Sequence, residues 1–254
     1  MKGFTKAQIV GSLIQNSELR YTPDGLAILE MTVAGDQNIS VEGQPMALPF
    51  YVRAKVFGNY AEVLANDFRA GVVVVLDGRL NHRTWQDPEG RRRSALEVIP
   101  STANRLEGEF EFSRDAKEQP RLMGGINSVT LAGNLVRDAD LIQTSTGQAI
   151  ARFTVAVEER ASKTEHTHFI EVVAWRELAK RAAELKKGMP VWVMGRIVSE
   201  SWDDQEGVKR YVTRIEAAQL YRAAAKPQAA GTRSQELATQ PCESPAGSEP
   251  ECPF

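Results

Sequence analysis

Two short stretches carry side chains suited to holding a flat, negatively charged polymer. In Tyr51-Val52-Arg53-Ala54-Lys55-Val56-Phe57 the residue types alternate with the period of a β-strand, which sends successive side chains to opposite faces. The even positions Val52, Ala54 and Val56 form a small apolar face suited to a barrel interior. The odd positions present Tyr51, Arg53, Lys55 and Phe57. The stretch 79–85 repeats the arrangement with Arg79, Asn81, Arg83 and Trp85, and Arg91, Arg92 and Arg93 follow across a turn. Aromatic rings offer faces on which nucleobases stack for ~1–3 kcal/mol each, while cations meet phosphates. The chemistry is therefore non-covalent, and single-stranded nucleic acid is the ligand class that fits it. The competing reading makes the rings edge-of-core packing and the arginines a solvated rim.

Covalent and metal chemistry find little support. There is no GxxxxGK phosphate loop and no nucleophile elbow. Both cysteines, Cys242 and Cys252, fall in the last thirteen residues, so neither a disulfide framework nor a paired-cysteine metal site is expected in a folded region. His166-Thr167-His168 could bring two imidazoles together but lacks a third ligand, and Glu171 with Glu200 could be offered as an acid–base pair but reads better as divergence of a binding face. No cofactor and no metal are expected. No apolar run approaches the ~20 residues of a membrane span, and 9–14 is too short for a signal peptide core. The expectation is a cytoplasmic protein without a membrane partner.

The elements that position these stretches occur twice. At a constant offset of 122, residues 9–34 and 131–156 share Gly11/Gly133, Leu13/Leu135, Leu19/Leu141, Thr22/Thr144, Gly25/Gly147, Ala27/Ala149, Ile28/Ile150 and a Thr-Val-Ala triplet. The match continues at offsets of 118 and 117, pairing 50–65 with 168–183 and 78–90 with 195–207. A period this long means tandem domains. Unit A is expected over 3–106 and unit B over 126–222, with an acidic linker at 107–125 in which Phe110 and Phe112 allow a short strand. From 223 onward large apolar residues nearly vanish, so 223–254 is expected to be disordered. That tail holds two cations and four carboxylates, which accounts for the net charge of −2 and leaves the rest of the chain balanced. A nucleic-acid ligand would need a local basic groove and non-ionic contacts.

Each unit reads as mostly β. Strands are expected at 7–14, 26–34 and 51–57, a polar loop at 35–48 (158–167 in unit B), a helix at about 59–69, strands at 72–77 and 79–85, a turn at 87–90 and a last strand near 93–99. In unit B, Leu178, Ala182 and Leu185 share a helix face, and Gly188 sits where a C-terminal cap would. The fold class is mainly β: two tandem OB-fold five-stranded barrels, each with one helix between strands 3 and 4, plus a disordered C-terminal tail.

These residues resemble the bacterial single-stranded DNA-binding protein family, unit B most closely. The family's opening segment stands at 133–156, its strand-into-helix segment at 169–183, its Gly-Arg strand at 195–202 and its last strand at 211–220. The resemblance implies stacking aromatics at Tyr51, Phe57 and Trp85 in unit A and at Phe169, Trp175 and Trp202 in unit B. A further family tryptophan, in the loop after the second strand, is replaced by Ala161 in unit B and has no aromatic counterpart in unit A. The phosphate-facing set is read as Arg53, Lys55, Arg79, Arg83, Arg91, Arg92, Arg93, Arg196, Lys209 and Arg210. Two folds per chain resemble the long variety, in which a homodimer supplies four folds. The tip Pro253-Phe254 resembles the segment through which the family recruits replication and repair proteins, although its acidic run is thin. The implied function is sequence-independent single-stranded DNA binding and protection, located with the nucleoid. An OB-fold RNA-binding protein and a protein-interaction scaffold are the alternatives.

Overall fold

The structure is a computed structural model that describes residues 3–41, 43–86, 90, 92–144, 146–161, 164–203 and 209–222. Arg91, Cys242, Cys252, Pro253 and Phe254 lie outside the described residues. In unit A the elements run β1 (Phe4–Leu13), β2 (Glu18–Tyr21), β3 (Ala27–Val41), β4 (Gln44–Phe57), α1 (Asn59–Ala65), β5 (Val73–Gln86) and β6 (Arg92–Arg105). Then come β7 (Phe112–Arg114) and β8 (Pro120–Met123). Unit B follows as β9 (Ile126–Leu135), β10 (Asp140–Gln143), β11 (Ala149–Ala161), β12 (Thr164–Trp175), α2 (Arg176–Ala183), β13 (Pro190–Asp203) and β14 (Lys209–Arg222).

Each unit closes into the expected OB barrel. In unit A the order around the wall is β1-β3-β4-β6-β5 and back to β1, with β4 and β6 parallel through Ala54 and Val98. In unit B, β9, β11, β12, β14 and β13 close the same way. The interior is the apolar face read from the alternation: Val52, Ala54 and Val56 are all buried, with Ile9, Leu29, Leu76, Leu80 and Val98 from the other strands. Ala61, Leu64 and Phe68 close unit A at the helix, and Ala179, Ala182 and Leu185 do so in unit B.

Four expectations are corrected. The stretches 35–48 and 158–167 are not loops: the β3–β4 ladder runs on to Val41 and Gln44, and the β11–β12 ladder to Ala161 and Thr164. In unit A most side chains of that extension are exposed, so nothing in their pattern distinguishes strand from loop. The strands expected at 72–77 and 79–85 are one strand, β5, whose register against β6 shifts between Asp77 and Gly78, where Ser101 of β6 is the extra residue of a bulge. The first helix stops at Ala65. Gly188 does not cap the second helix, which ends at Ala183 with Glu184 as its cap; instead Gly188, at φ +80°, turns the chain into β13 with its N–H on the Leu135 carbonyl at 2.8 Å.

The bulge in the fifth barrel strand has a counterpart at Ala218 of β14, opposite Met194 and Gly195. Just beyond each bulge a side chain of the first barrel strand takes over a backbone partner. Thr5 Oγ1 accepts the Leu80 N–H at 3.0 Å. The buried Asn127 accepts the Ile197 N–H at 3.0 Å and donates to the Ile197 carbonyl at 2.8 Å. No described helix is long and apolar enough to cross a membrane.

The barrels are joined through their first strands, β1 and β9, antiparallel from Phe4↔Ala132 to Val10↔Ile126. With the repeat offset of 122, Ala7 opposite Val129 is a residue facing its own counterpart, so the two units are related by a pseudo-twofold axis through that pair. His168, one of the candidate ligand pair, lies buried at this junction. Its Nδ1 faces the backbone of His82 across the unit boundary, 3.4 Å from the nitrogen and 3.3 Å from the carbonyl oxygen.

The shared Gly11/Gly133 marks the seam of each barrel. A Cβ on Gly133 would lie 2.2 Å from the Ala156 carbonyl oxygen, and one on Gly11 would lie 2.5 Å from that of Ala34. Both obstacles are backbone, so neither yields cheaply. Gly133→Ala is expected to destabilise the protein by about 2–3 kcal/mol. The midpoint of urea unfolding checks this, and an unchanged midpoint would mean the seam opens without cost.

Candidate nucleic-acid interface

Registers place Tyr51, Arg53, Lys55, Phe57, Arg79, Arg83 and Trp85 of unit A on one outer surface, while Arg92, opposite Gln86, alternates to the other face. Thr32 faces Arg53, Glu30 faces Lys55 and Ile28 faces Phe57 across β3–β4, while Asn81 faces Glu97 and Arg83 faces Ala95 across β5–β6. Since β4 also pairs with β6, these rows form one continuous face. Phe57 is 40% exposed and Trp85 37% exposed, while Tyr51 is half-buried. The Arg83 guanidinium sits 4.5 Å from the centre of the Trp85 ring, a cation–π stack between next-but-one neighbours on β5.

The cations do not all stand free. Glu97, only 2% exposed, lies at the centre of this face. Lys55 Nζ is 3.1 Å from its Oε1 and 3.0 Å from Glu30, and its side chain is only 13% exposed. Arg83 Nε reaches the same Glu97 oxygen at 3.7 Å, and Arg20 pairs with Glu30. Burial pushes the Glu30 carboxyl up, but Lys55 and Arg20 outweigh it and hold the group below the usual carboxylate range. Lys55 is therefore committed to two carboxylates, a partnership that alternation along β4 alone does not reveal. Arg53 is exposed and has no carboxylate within ion-pair distance among the described residues. Arg79 is half-buried beside Thr5, Ile99 and Pro100, in a shallow cavity of about 380 Å³.

Unit B keeps the rings and reverses the charges. Phe169 is half exposed and Trp175 half-buried, both on β12. Trp202 is registered opposite Arg210 on β14, as Trp85 is opposite Arg93 on β6; Lys209 faces Asp203, and Arg92 faces Gln86. At the offset of 117, Glu97 becomes Arg214 and Arg83 becomes Glu200; at 118, Arg53 becomes Glu171 and Lys55 becomes Val173, which is buried. The buried Arg214 takes Glu171 at 2.8 Å and Glu200 at 2.5 Å. So the pair considered as an acid–base couple is instead a clamp on a guanidinium. Arg196 is bound by Glu216 at 2.7 Å. In unit A a buried anion gathers cations; in unit B a buried cation gathers anions. The exchange of Glu97 for Arg214 is legible in the aligned repeats and is the signal that locates both networks.

Two OB barrels joined by their first strands, each with aromatic residues at matching positions on one wall, define a tandem OB-fold binding protein. The description "Single-strand binding protein family" matches residues 4–106 and again 126–223. The single-stranded DNA-binding protein of a Thermus thermophilus strain is 41% identical over 242 residues, covering 94% of this chain and 92% of that protein. That of Deinococcus radiodurans is 38% identical, covering 86% and 75%. The crystal structure of the wild-type single-stranded DNA binding protein from Thermus aquaticus superposes with a TM-score of 0.72 at 37% identity, covering 92% of this chain and all of that one. The chain belongs to the single-strand binding protein family. The family and these relatives are named for binding, not for a reaction.

Removing one partner from a buried ion pair leaves the other charge uncompensated. Lys55→Met, which strands Glu97, is therefore expected to cost about 3 kcal/mol in chemical denaturation. A loss below about 1 kcal/mol would mean that Arg83 alone suffices to neutralise Glu97.

Proposed function

We propose that this protein binds and protects single-stranded DNA without sequence preference, in replication, recombination and repair. The observation that carries the reading is that stacking positions recur at matching places in both units, while the charges around them do not. Tyr51, Phe57 and Trp85 serve unit A; Phe169, Trp175 and Trp202 serve unit B. Arg53, Arg79, Arg83, Arg91, Arg92 and Arg93 meet phosphates on unit A. Lys209, Arg210 and Arg196 do so on unit B, where Arg196 must exchange Glu216 for phosphate. Lys55 contributes to the potential of the face more than to direct contact, because it is held by Glu30 and Glu97. The names of the relatives support the ligand class. The Pro253-Phe254 tip recruits replication and repair proteins, and the protein works in the cytoplasm on the nucleoid.

Substituting Trp85 or Trp175 by Ala is expected to weaken binding to oligo-dT by about 1–3 kcal/mol each. Tryptophan emission of the unaltered protein should fall as oligo-dT is added. Preference for oligo-U over oligo-dT would favour the RNA-binding reading, and no binding of either would favour a scaffold. The charge reversal gives a second expectation. Full-length protein with Phe57 and Trp85 replaced by Ala relies on unit B, and protein with Trp175 and Trp202 replaced relies on unit A. Each phosphate contact adds about −0.7 to the log–log salt slope for single strands, so the unit-A-dependent form should have the steeper slope, by roughly one to two units. Equal slopes would remove the assignment of phosphate contacts mainly to unit A.

We further propose that two chains assemble to give four barrels. The outer face of β14–β13–β9–β1 carries an exposed row of Tyr221, Trp192 and Phe4, with Met194 beside it; the Phe4 and Trp192 rings meet edge-on at 4.8 Å. A contiguous apolar face of this kind suits burial against a second copy. Sedimentation at micromolar concentration should give twice the 28.0 kDa chain mass, and the mass of a single chain would overturn the dimer.

A further inference from the structure

The segment between the barrels, expected as a linker, is a β-hairpin built onto unit A. β8 lies parallel beside β3, with Leu122 opposite Gly35 and buried. Ser12 donates to the Pro120 carbonyl at 2.8 Å. Arg121 reaches the buried Asp36 at 3.2 Å and donates to Ser113 Oγ at 3.2 Å, and Ser113 donates to Asp36. These contacts fix the turn of the hairpin beside the middle of β4, where Tyr51 stands.

At that turn Asp115 divides its two oxygens. Oδ1 accepts the N–H groups of Lys117 at 2.8 Å and Gln119 at 2.9 Å, which closes the turn. Oδ2 accepts the Tyr51 hydroxyl at 2.9 Å. The N–H groups of Gln119 and Lys117 hold the Asp115 carboxyl below its usual range, and burial, aided by Asp115, outweighs the opposing pull of Arg121 and pushes the Tyr51 phenol up. Around neutral pH the carboxylate stays ionised and the phenol stays a donor. Phe169, at the matching place in unit B, has no hydroxyl and is half exposed.

We propose that Asp115 is a positioning residue for nucleic-acid binding: the connector hairpin holds the Tyr51 ring in its stacking orientation, so that unit A and the connector form one binding element, whereas Phe169 of unit B settles on its base without such a hold. This rests on the reading of Tyr51 as a stacking residue. A ring already oriented loses less rotational freedom on binding than a free one.

The test uses full-length protein and oligo-dT titrations of Tyr51→Ala, Tyr51→Phe, Asp115→Ser, Asp115→Asn and the Tyr51→Phe/Asp115→Ser double variant. Phe stacks as well as Tyr, so pure stacking gives no loss for Tyr51→Phe. The positioning role gives a loss of about fivefold, the worth of one ordinary hydrogen bond. Asp115→Ser keeps an oxygen to cap the turn but is too short to reach the ring, and should lose the same factor. The double variant should lose no more than either single change, and Asp115→Asn, whose carbonyl oxygen still accepts the turn N–H groups while its NH2 donates to the Tyr51 hydroxyl oxygen in a reversed bond, should restore most of the affinity. If Tyr51→Ala binds weakly while Tyr51→Phe binds as the unaltered protein does, the stacking reading stands and the positioning role is overturned. Tighter binding by Tyr51→Phe overturns it too, since Asp115 would then be holding the ring away from DNA. If Tyr51→Ala binds normally, the stacking role of Tyr51 falls, and this proposal with it.

Discussion

The edge of β1 has to be satisfied twice, and the architecture follows from how the chain does it. One edge of this strand pairs with β5 along residues 7–12. The opposite edge is divided: Ser12 and Leu13 pair with β3 and close the barrel, while Phe4 through Val10 are left over by that closure. Seven residues of unpaired backbone would be costly to bury and hazardous to expose. β9, which has the same split edge by descent from the same repeat, fills the gap and has its own filled in return. Gly11 and Gly133 stand where each strand passes from one partner to the other, and the close approach of Ala34 and Ala156 there leaves no room for a side chain. The pseudo-twofold relation of the two barrels is a consequence of this exchange of backbone hydrogen bonds.

Duplication with a fixed scaffold lets the two faces diverge, but under a restriction. A buried charge must keep its complement, so it cannot change sign alone. Between the units the central residue goes from Glu97 to Arg214, and its neighbours go from Lys55 and Arg83 to Val173 and Glu200, with Glu171 added in place of Arg53. Each network is internally consistent, whereas a mixture of the two would strand a buried ion. The rings are under no such restriction, since a stacking surface needs only position and exposure, and they persist in kind: Phe57 as Trp175, Tyr51 as Phe169 and Trp85 as Trp202.

Much of this was legible in the sequence because alternation encodes faces. Val52, Ala54 and Val56 pointed inward as their spacing required, and the repeat fixed the number of barrels. The long arms at 35–48 and 158–167 were not legible, because a hairpin extending past the barrel is held by its backbone ladder and need not alternate apolar with polar side chains. Of the connector only a short strand near Phe112 was legible, and its docking on unit A was not, for a related reason: its anchor is a single buried leucine, Leu122, with polar contacts to residues up to 108 positions away. The commitment of Lys55 was hidden because its partners come from two strands flanking its own, and alternation within one strand says nothing about the sign of the charge on the next.

The balance of charge sets the character of the interface. Apart from the tail, cations and carboxylates are equal in number, and several cations of the candidate faces are spoken for: Lys55 by Glu30 and Glu97, Arg214 by Glu171 and Glu200, Arg196 by Glu216. Long-range attraction of a polyanion is correspondingly weak. On the proposed reading, affinity then comes from contacts made at close range, where rings meet bases and where a phosphate displaces a carboxylate from a guanidinium already oriented by it. Such displacement costs less than ordering a free arginine, because the side chain has already given up its rotamer freedom in the unbound protein. On the same proposal the carboxylates on these faces weaken the attraction at a distance while holding the cations in place for contact. A phosphate must compete with them, which favours a strand already held by its stacked bases over a passing anion.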